Sequence, residues 1–385
     1  MLSLLQATPI RYLFIDPGKL ADQARRSGFT VVQPEALPSG IAVVKGPWPG
    51  IRLSHMGGDR AAAGPTGEPW VDSNGWRVRA ARAVRPDARF WVDANPQPSR
   101  SSAEDYVLAF ADAAAHGAHW IVTLDDRLAA GIAAKKADDM ITWKRIAQAS
   151  AFFAVNNTYT DDAVIGVLSS FTGPKVGFTN EVLNNLARTK QQYRAIASSR
   201  FTSASLAGLK GVIYADSAEP PANVRNQVLD FVNAGEMLIT ASAWGALPKA
   251  TAASERSHPR FQIRPVGKGA IALATTPFSD PYVVPNDAVV LISHRQDIVR
   301  FFNTGAITPC LYTSPDKRHA ALRTVFYSLR PVEDSTIWVK GAWRAARIRT
   351  WNQPQPQNVK LEVRDTGVEI RLPAVAQYAL IELES

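Results

Sequence analysis

The sequence predicts a mixed α/β chain in three parts: a shortened or irregular (β/α) barrel-like domain over residues 1–158, a Rossmann-like α/β domain over 159–283, and an antiparallel β-sandwich with a leading helix over 284–385. Three observations carry this. In the first third, short apolar runs ending in polar or acidic residues alternate with segments of helical spacing. A strand-helix-strand-helix-strand order fills the middle. Period-two alternation punctuated by turn signals fills the last part. At 385 residues the chain also exceeds what one hydrophobic core usually supports.

In the first part the strand candidates are RYLFID, TVVQPE, GIRLSH, RFWVDAN and HWIVTLDD, with IAVVKG as an extra. Between them KLADQARRSG, SNGWRVRAARAVRP and SAEDYVLAFADAAAHGA repeat apolar residues every three or four positions, which is the helical period. Ser73 or Asn74 caps the helix containing Trp76, Ser102 caps the next, and Gly117 ends it. Alternating strands and helices imply a parallel sheet. Five or six strands are too few for eight-stranded closure, so the alternatives are an irregular barrel and an open α/β sheet.

In the second part AVIGVLSS, GLKGVIYAD and EMLITASAWG read as strands, with FTNEVLNNLARTKQQYRAIASS and VRNQVLDFVNAG as the helices between them. Thr179 is the expected cap and Gly235 the terminator. RFQIRPVGKGAIALATTP reads as a hairpin turned at GKG that completes or edges the sheet. Beyond it, SHRQDIVRFFN predicts a helix docking Val299, Phe301 and Phe302 while its charged residues pair outside. AALRTVFYSLR, STIWVKGAW, RAARIRTWN, NVKLEVRDTG and VEIRLPAVAQYALIELE supply the sandwich strands.

Composition excludes several function classes. A hydrophobic fraction of 46% with 10 tryptophans argues for a folded chain. The net charge of +9 comes from dispersed arginines without a basic block, so no nucleic-acid partner is expected. Cys310 is the single cysteine, which excludes an internal disulfide and a cysteine zinc cluster, and it reads as a packed thiol. His116 and His119 fit no HExxH pattern and read as surface or packing histidines. GxGxxG, GxxxxGK[ST] and GxSxG motifs are absent. No apolar run reaches membrane-span length, and MLSLLQATPI lacks the basic start of a signal peptide. Taken literally the protein reads as cytoplasmic, although an exported mature form looks the same.

In barrels and open α/β sheets alike, ligands meet the carboxyl ends of the strands. Asp16, Glu35, His55, Asp93, Asn95, Asp125 and Asp126 fall at such ends. The long loop MGGDRAAAGPTGEPWVDSNGW adds Arg60, Trp70 and Trp76, and loops of that length are often functional. Two facing carboxyl groups, about 5 Å apart for retention or roughly 6.5–9.5 Å for inversion, hydrolyse a glycosidic bond. Asp93, Asp125 and Glu35 are the candidate catalytic acids. Asp16, His55, Arg60, Trp70, Trp76, Asn95 and Asp126 are the candidate substrate-binding residues, with Trp48, Trp70 and Trp76 available to stack on sugar rings. No metal and no cofactor is expected.

GVIYADSAEPPANVRNQVLDFVNAGEMLITASAWG resembles the class I glutamine-amidotransferase-like domain that follows the barrel in the β-galactosidases of glycoside hydrolase family 42. That family shows two glycines at the turn where this chain has Gly235 then Glu236, and an amidotransferase needs an elbow cysteine that is absent here. The closing "LP…Y…IEL" strand pair looks like the β domain that ends many glycoside hydrolases. The resemblance implies O-glycosidic hydrolysis of a carbohydrate substrate and a homo-oligomer assembled through the amidotransferase-like domain. It departs from the family at the acids. The family's Asn-Glu pair ends the fourth barrel strand, whereas Asn180-Glu181 lies outside the barrel-like segment. The alternative is a catalytically degenerate carbohydrate-binding or structural relative. VRAARAVRPDARFWVDANPQ is also similar to enolase-superfamily barrels, where the aspartate of "D-A-N" binds magnesium. That similarity implies Asp93 as first ligand, with Asp125 replacing a glutamate.

Overall fold

In the computed structural model of the chain, residues 2–52, 54–55, 61–62, 70–96, 102–154, 160–174, 176–254, 256–292, 294–328 and 330–385 are described. The first part comprises α1 (Leu2–Gln6), β1 (Tyr12–Phe14), α2 (Lys19–Arg26), β2 (Thr30–Val32), β3 (Ile41–Lys45), β4 (Gly50–Arg52), β5 (Ser54–His55), β6 (Ala61–Ala62) and β7 (Trp70–Asp72). It continues through α3 (Gly75–Val84), β8 (Arg89–Asp93), α4 (Ala103–Ala115), β9 (His119–Trp120), α5 (Asp126–Ala133) and α6 (Ala137–Phe152). β1 and β2 pair in parallel, and β3, β8 and β9 form a second parallel sheet. Among the described residues these strands do not close into a barrel.

IAVVKG, read only as an extra, supplies β3 and pairs with β8 from Ile41↔Arg89 to Lys45↔Asp93. GIRLSH is not a strand of the parallel sheet. Gly50–Arg52 pairs antiparallel with β7, and β5 with β6. An apolar run fixes a strand but not its partner, because pairing is a tertiary choice.

The middle comprises β10 (Thr160–Asp161), β11 (Ile165–Ser169), α7 (Val176–Arg188), β12 (Tyr193–Ala197), β13 (Gly211–Tyr214), α8 (Ala222–Asn233), β14 (Met237–Thr240), β15 (Phe261–Val266), β16 (Gly269–Ala274) and α9 (Val283–Ile292). Its six-stranded sheet has the order β12-β11-β13-β14-β16-β15, parallel except for the β15–β16 hairpin. The segment read as one long helix is two elements, α7 and the additional parallel strand β12. The hairpin at GKG stands at the sheet edge as expected, with Gly267 at φ 59.

The last part comprises β17 (Val299–Phe302), β18 (Ile307–Thr313), β19 (His319–Phe326), β20 (Thr336–Lys340), β21 (Ala345–Thr350), β22 (Gln357–Asn358), β23 (Glu362–Arg364), β24 (Gly367–Arg371) and β25 (Gln377–Glu384). Sheets β10-β18-β19-β25-β21-β22 and β17-β20-β24-β23 enclose a shared apolar core that includes Leu322, Phe326, Ile337, Val339, Ile370 and Ile381. SHRQDIVRFFN is a single turn, His294–Gln296, followed by strand β17 rather than a helix. Asp297 is paired by His294 and Arg300, but Phe302 stays 44% exposed instead of docking.

α4 holds the first part to the last. Ser102 and Asp105 close a reciprocal capping box at its start, and every residue from Asp105 to Ala115 is buried. A helix buried on all sides belongs in an interior, and α4 lies among β9, α6, β19 and β25. α3 performs the same office toward the middle sheet, packing on β12 and α7. Its Arg79 donates to Tyr193 O on β12 and to Cys310 Sγ (3.6 Å) on β18, beside Asp161 at 3.6 Å. Among the described residues no helix is long and apolar enough to cross a membrane.

Candidate functional site

The candidate acids come from different elements. Asp93 ends β8, half-buried, with Lys45 as its neighbour in register. Glu35 and Asp16 are exposed beyond β2 and β1, in the separate two-stranded sheet. Asp125 is not a strand-end acid. It is the N-cap of α5, accepting from Leu128 N at 3.0 Å, and burial together with this neighbouring carboxylate pushes the Tyr106 phenol up to about 12. An acid after an apolar run suits a strand end and a helix cap equally, and here the helix claims it. Asp125→Ala is therefore expected to lower stability by about 1 kcal/mol, read in urea unfolding.

The remaining candidates divide similarly. Asn95 and Asp126 are exposed. His55 lies in the β5–β6 pair and Trp70 in β7, while Arg60 lies outside the described residues. Trp76 does not offer a face to a sugar, because it packs into the core shared with the middle sheet. Trp48 is likewise interior, edge-on to Tyr106 at 5.0 Å and to Trp120 at 5.2 Å.

Two arrangements were not legible in the sequence. At the carboxyl ends of β11 and β13, where open α/β sheets bind ligands, Asp216 accepts from Ser169 Oγ (2.7 Å), Ser170 N (2.8 Å), Ser170 Oγ (3.0 Å) and Thr179 Oγ1 (3.1 Å). Its oxygens are spent on tying two loops together. Thr179 lies inside α7 and serves this network rather than capping the helix. In the second, His116 Nδ1 lies 3.2 Å from Cys310 Sγ, both buried. Burial, then Arg79, Arg82 and Arg323, hold the His116 pKa well below its ordinary value, and burial pushes the Cys310 thiol up. The two are thus a neutral packed pair, not a thiolate–imidazolium nucleophile.

A cleft of about 640 Å³ opens between β1 of the two-stranded sheet and β9 at the edge of the three-stranded sheet. It is lined by every residue from Pro9 to Ile15 and from Ala118 to Leu124. Both runs extend past the short strands β1 and β9, so the segments flanking these strands border much of the cleft. Tyr12 and Phe14 meet Trp91 at 5.2 and 5.9 Å, and His119 stacks on Trp91 at 4.9 Å. Trp120, Trp143, Phe110 and Phe153 complete its aromatic walls, and no Asp or Glu lines it among the described residues. Its volume and apolar lining with few polar groups suit a small-ligand site.

No protein-family model matches the sequence, and no curated protein matches it. Solved structures do match. α-L-Fucosidase isoenzyme 2 from Paenibacillus thiaminolyticus aligns with TM-score 0.55 and 11% identity over 80% of this chain and 62% of its own. A rhamnosidase from Novosphingobium sp. PP1Y aligns with TM-score 0.54 and 11% identity over 95% of this chain and 38% of its own. A β-galactosidase from Bacillus circulans sp. alkalophilus gives TM-score 0.49 and 10% identity, over 78% and 61%. The chain spans less than two thirds of the length of each. Its fold is similar to that of glycoside hydrolases, as the sequence resemblance implies.

Proposed function

We propose that the protein is a carbohydrate-binding relative of glycoside hydrolases that holds a sugar in the β1–β9 cleft without hydrolysing it. The observation that carries this reading is the cleft itself, which has aromatic walls and no carboxylate among its described lining residues. Aromatic rings bury the apolar faces of sugar rings, whereas hydrolysis needs two acids facing one bond. One carboxylate oxygen of Asp125, the second candidate acid, is engaged in the α5 cap. The fold shared with a fucosidase and a rhamnosidase supports the carbohydrate class. The six-stranded part then serves as an amidotransferase-like scaffold.

Trp91, Trp120 and Trp143 line the cleft, so tryptophan fluorescence reports its occupancy. Titration with a panel of oligosaccharides is expected to give a saturable change, with no product released from aryl glycosides. Absence of binding across the panel would sink the sugar reading. Turnover that disappears in Asp93→Asn would restore the paired-carboxylate hydrolase.

A further inference from the structure

We infer that the sugar bound in the β1–β9 cleft is anionic, with its carboxylate or sulfate seated between Arg11 and Arg89 at the amino-terminal ends of the parallel strands. This deepens the sugar-binding reading and rests on it. Arg11 directly precedes β1 and Arg89 opens β8, and both line the cleft. Arg89 donates to the Tyr12 hydroxyl at 3.0 Å, which draws the two strand starts together. Arg11 donates to the carbonyls of Thr8 (2.6 Å) and Ile10 (2.9 Å). All these acceptors are neutral, and among the described residues neither guanidinium meets a carboxylate.

Each guanidinium carries five N–H donors, so most of them remain for a ligand. The local field is felt by His119, which opens β9. Burial, then the charge of Arg89, lowers its pKa, so it stays neutral and adds no competing cation. Two cations without a counter-charge at one end of an otherwise apolar cleft favour a planar anion that arginine grips in bidentate fashion. A neutral sugar leaves that charge uncompensated. The anion end is the opposite end of β8 from Asp93, so a negative group there does not confront that carboxylate.

The test is a set of matched neutral, uronate-bearing and sulfated disaccharides titrated by calorimetry at fixed ionic strength. The uronate or the sulfated member is expected to bind at least about tenfold more tightly than the neutral one, and the two anionic arms decide between carboxylate and sulfate. Arg89→Gln and Arg11→Gln are expected to bring the ratio of anionic to neutral affinity down towards one, whatever each does to the neutral-sugar affinity itself, with circular dichroism checking that each variant is folded. Equal binding of neutral and anionic members overturns the inference but leaves the sugar-binding reading standing. A preference that survives both substitutions also overturns it. No binding by any member removes both.

Discussion

Gly269→Ala is expected to destabilise the protein by about 3 kcal/mol, visible as a large drop in the urea midpoint. Gly269 begins β16 immediately after the hairpin turn, and a Cβ there would overlap the carbonyl oxygens of Val232 and Glu236. Those atoms belong to the end of α8 and the turn into β14, so backbone rather than a flexible side chain would have to move. Gly177 makes the contrast. It is exposed in α7 with open space around its Cα, so alanine there should stabilise the helix by roughly 0.5–1 kcal/mol. Equal effects from the two substitutions would show that the close approach at the sheet edge is absent.

Asp112→Ala is expected to be the most damaging change at the junction of α4 with the sandwich, lowering stability by about 4 kcal/mol as several buried donors lose their acceptor. Asp112 is fully buried on α4 and accepts from Ser73 Oγ (2.7 Å), Asn74 N (2.9 Å), Asn74 Nδ2 (3.2 Å) and Tyr327 Oη (2.6 Å). Burial lifts its pKa above the usual carboxylate value, while the four donors oppose the rise. A pKa raised by folding means that the native state binds the proton more tightly than the unfolded chain. The associated stabilisation is complete below the ordinary value of 3.8 and fades as the pH climbs through the native value. Relative to Asp112→Asn, the wild-type protein should therefore lose stability between pH 4 and neutrality. Urea melts of both proteins across that range check the sign, and an opposite slope would mean that the donors outweigh burial.

The sequence revealed periodicities well and pairings poorly. α2, α3, α4 and α8 stand where three- and four-residue spacing put them, and Ser102 caps as expected. β12 was hidden because TKQQYRAIASS follows α7 without a breaker and carries only one short apolar run. The sequence hides α5 and α6, because Asp125 and Asp126 read equally well as the end of HWIVTLDD. The cleft was invisible for a deeper reason. It lies between strands of two separate sheets, and which strands stay apart leaves no mark on the order of side chains. Trp76 shows the converse, since a tryptophan after a glycine-rich loop reads as a ligand platform until its packing partners are known.

Arg79 has a consequence for how the molecule can be taken apart. A buried cation whose partners come from β12, β18 and the Asp161 segment keeps those partners only while all three parts of the chain are in place. Pulling away either neighbour would strand a positive charge in a dry interior, a penalty of several kcal/mol. The three parts are thus modules in topology but partners in thermodynamics, and a fragment cut between them inherits a wound rather than a surface.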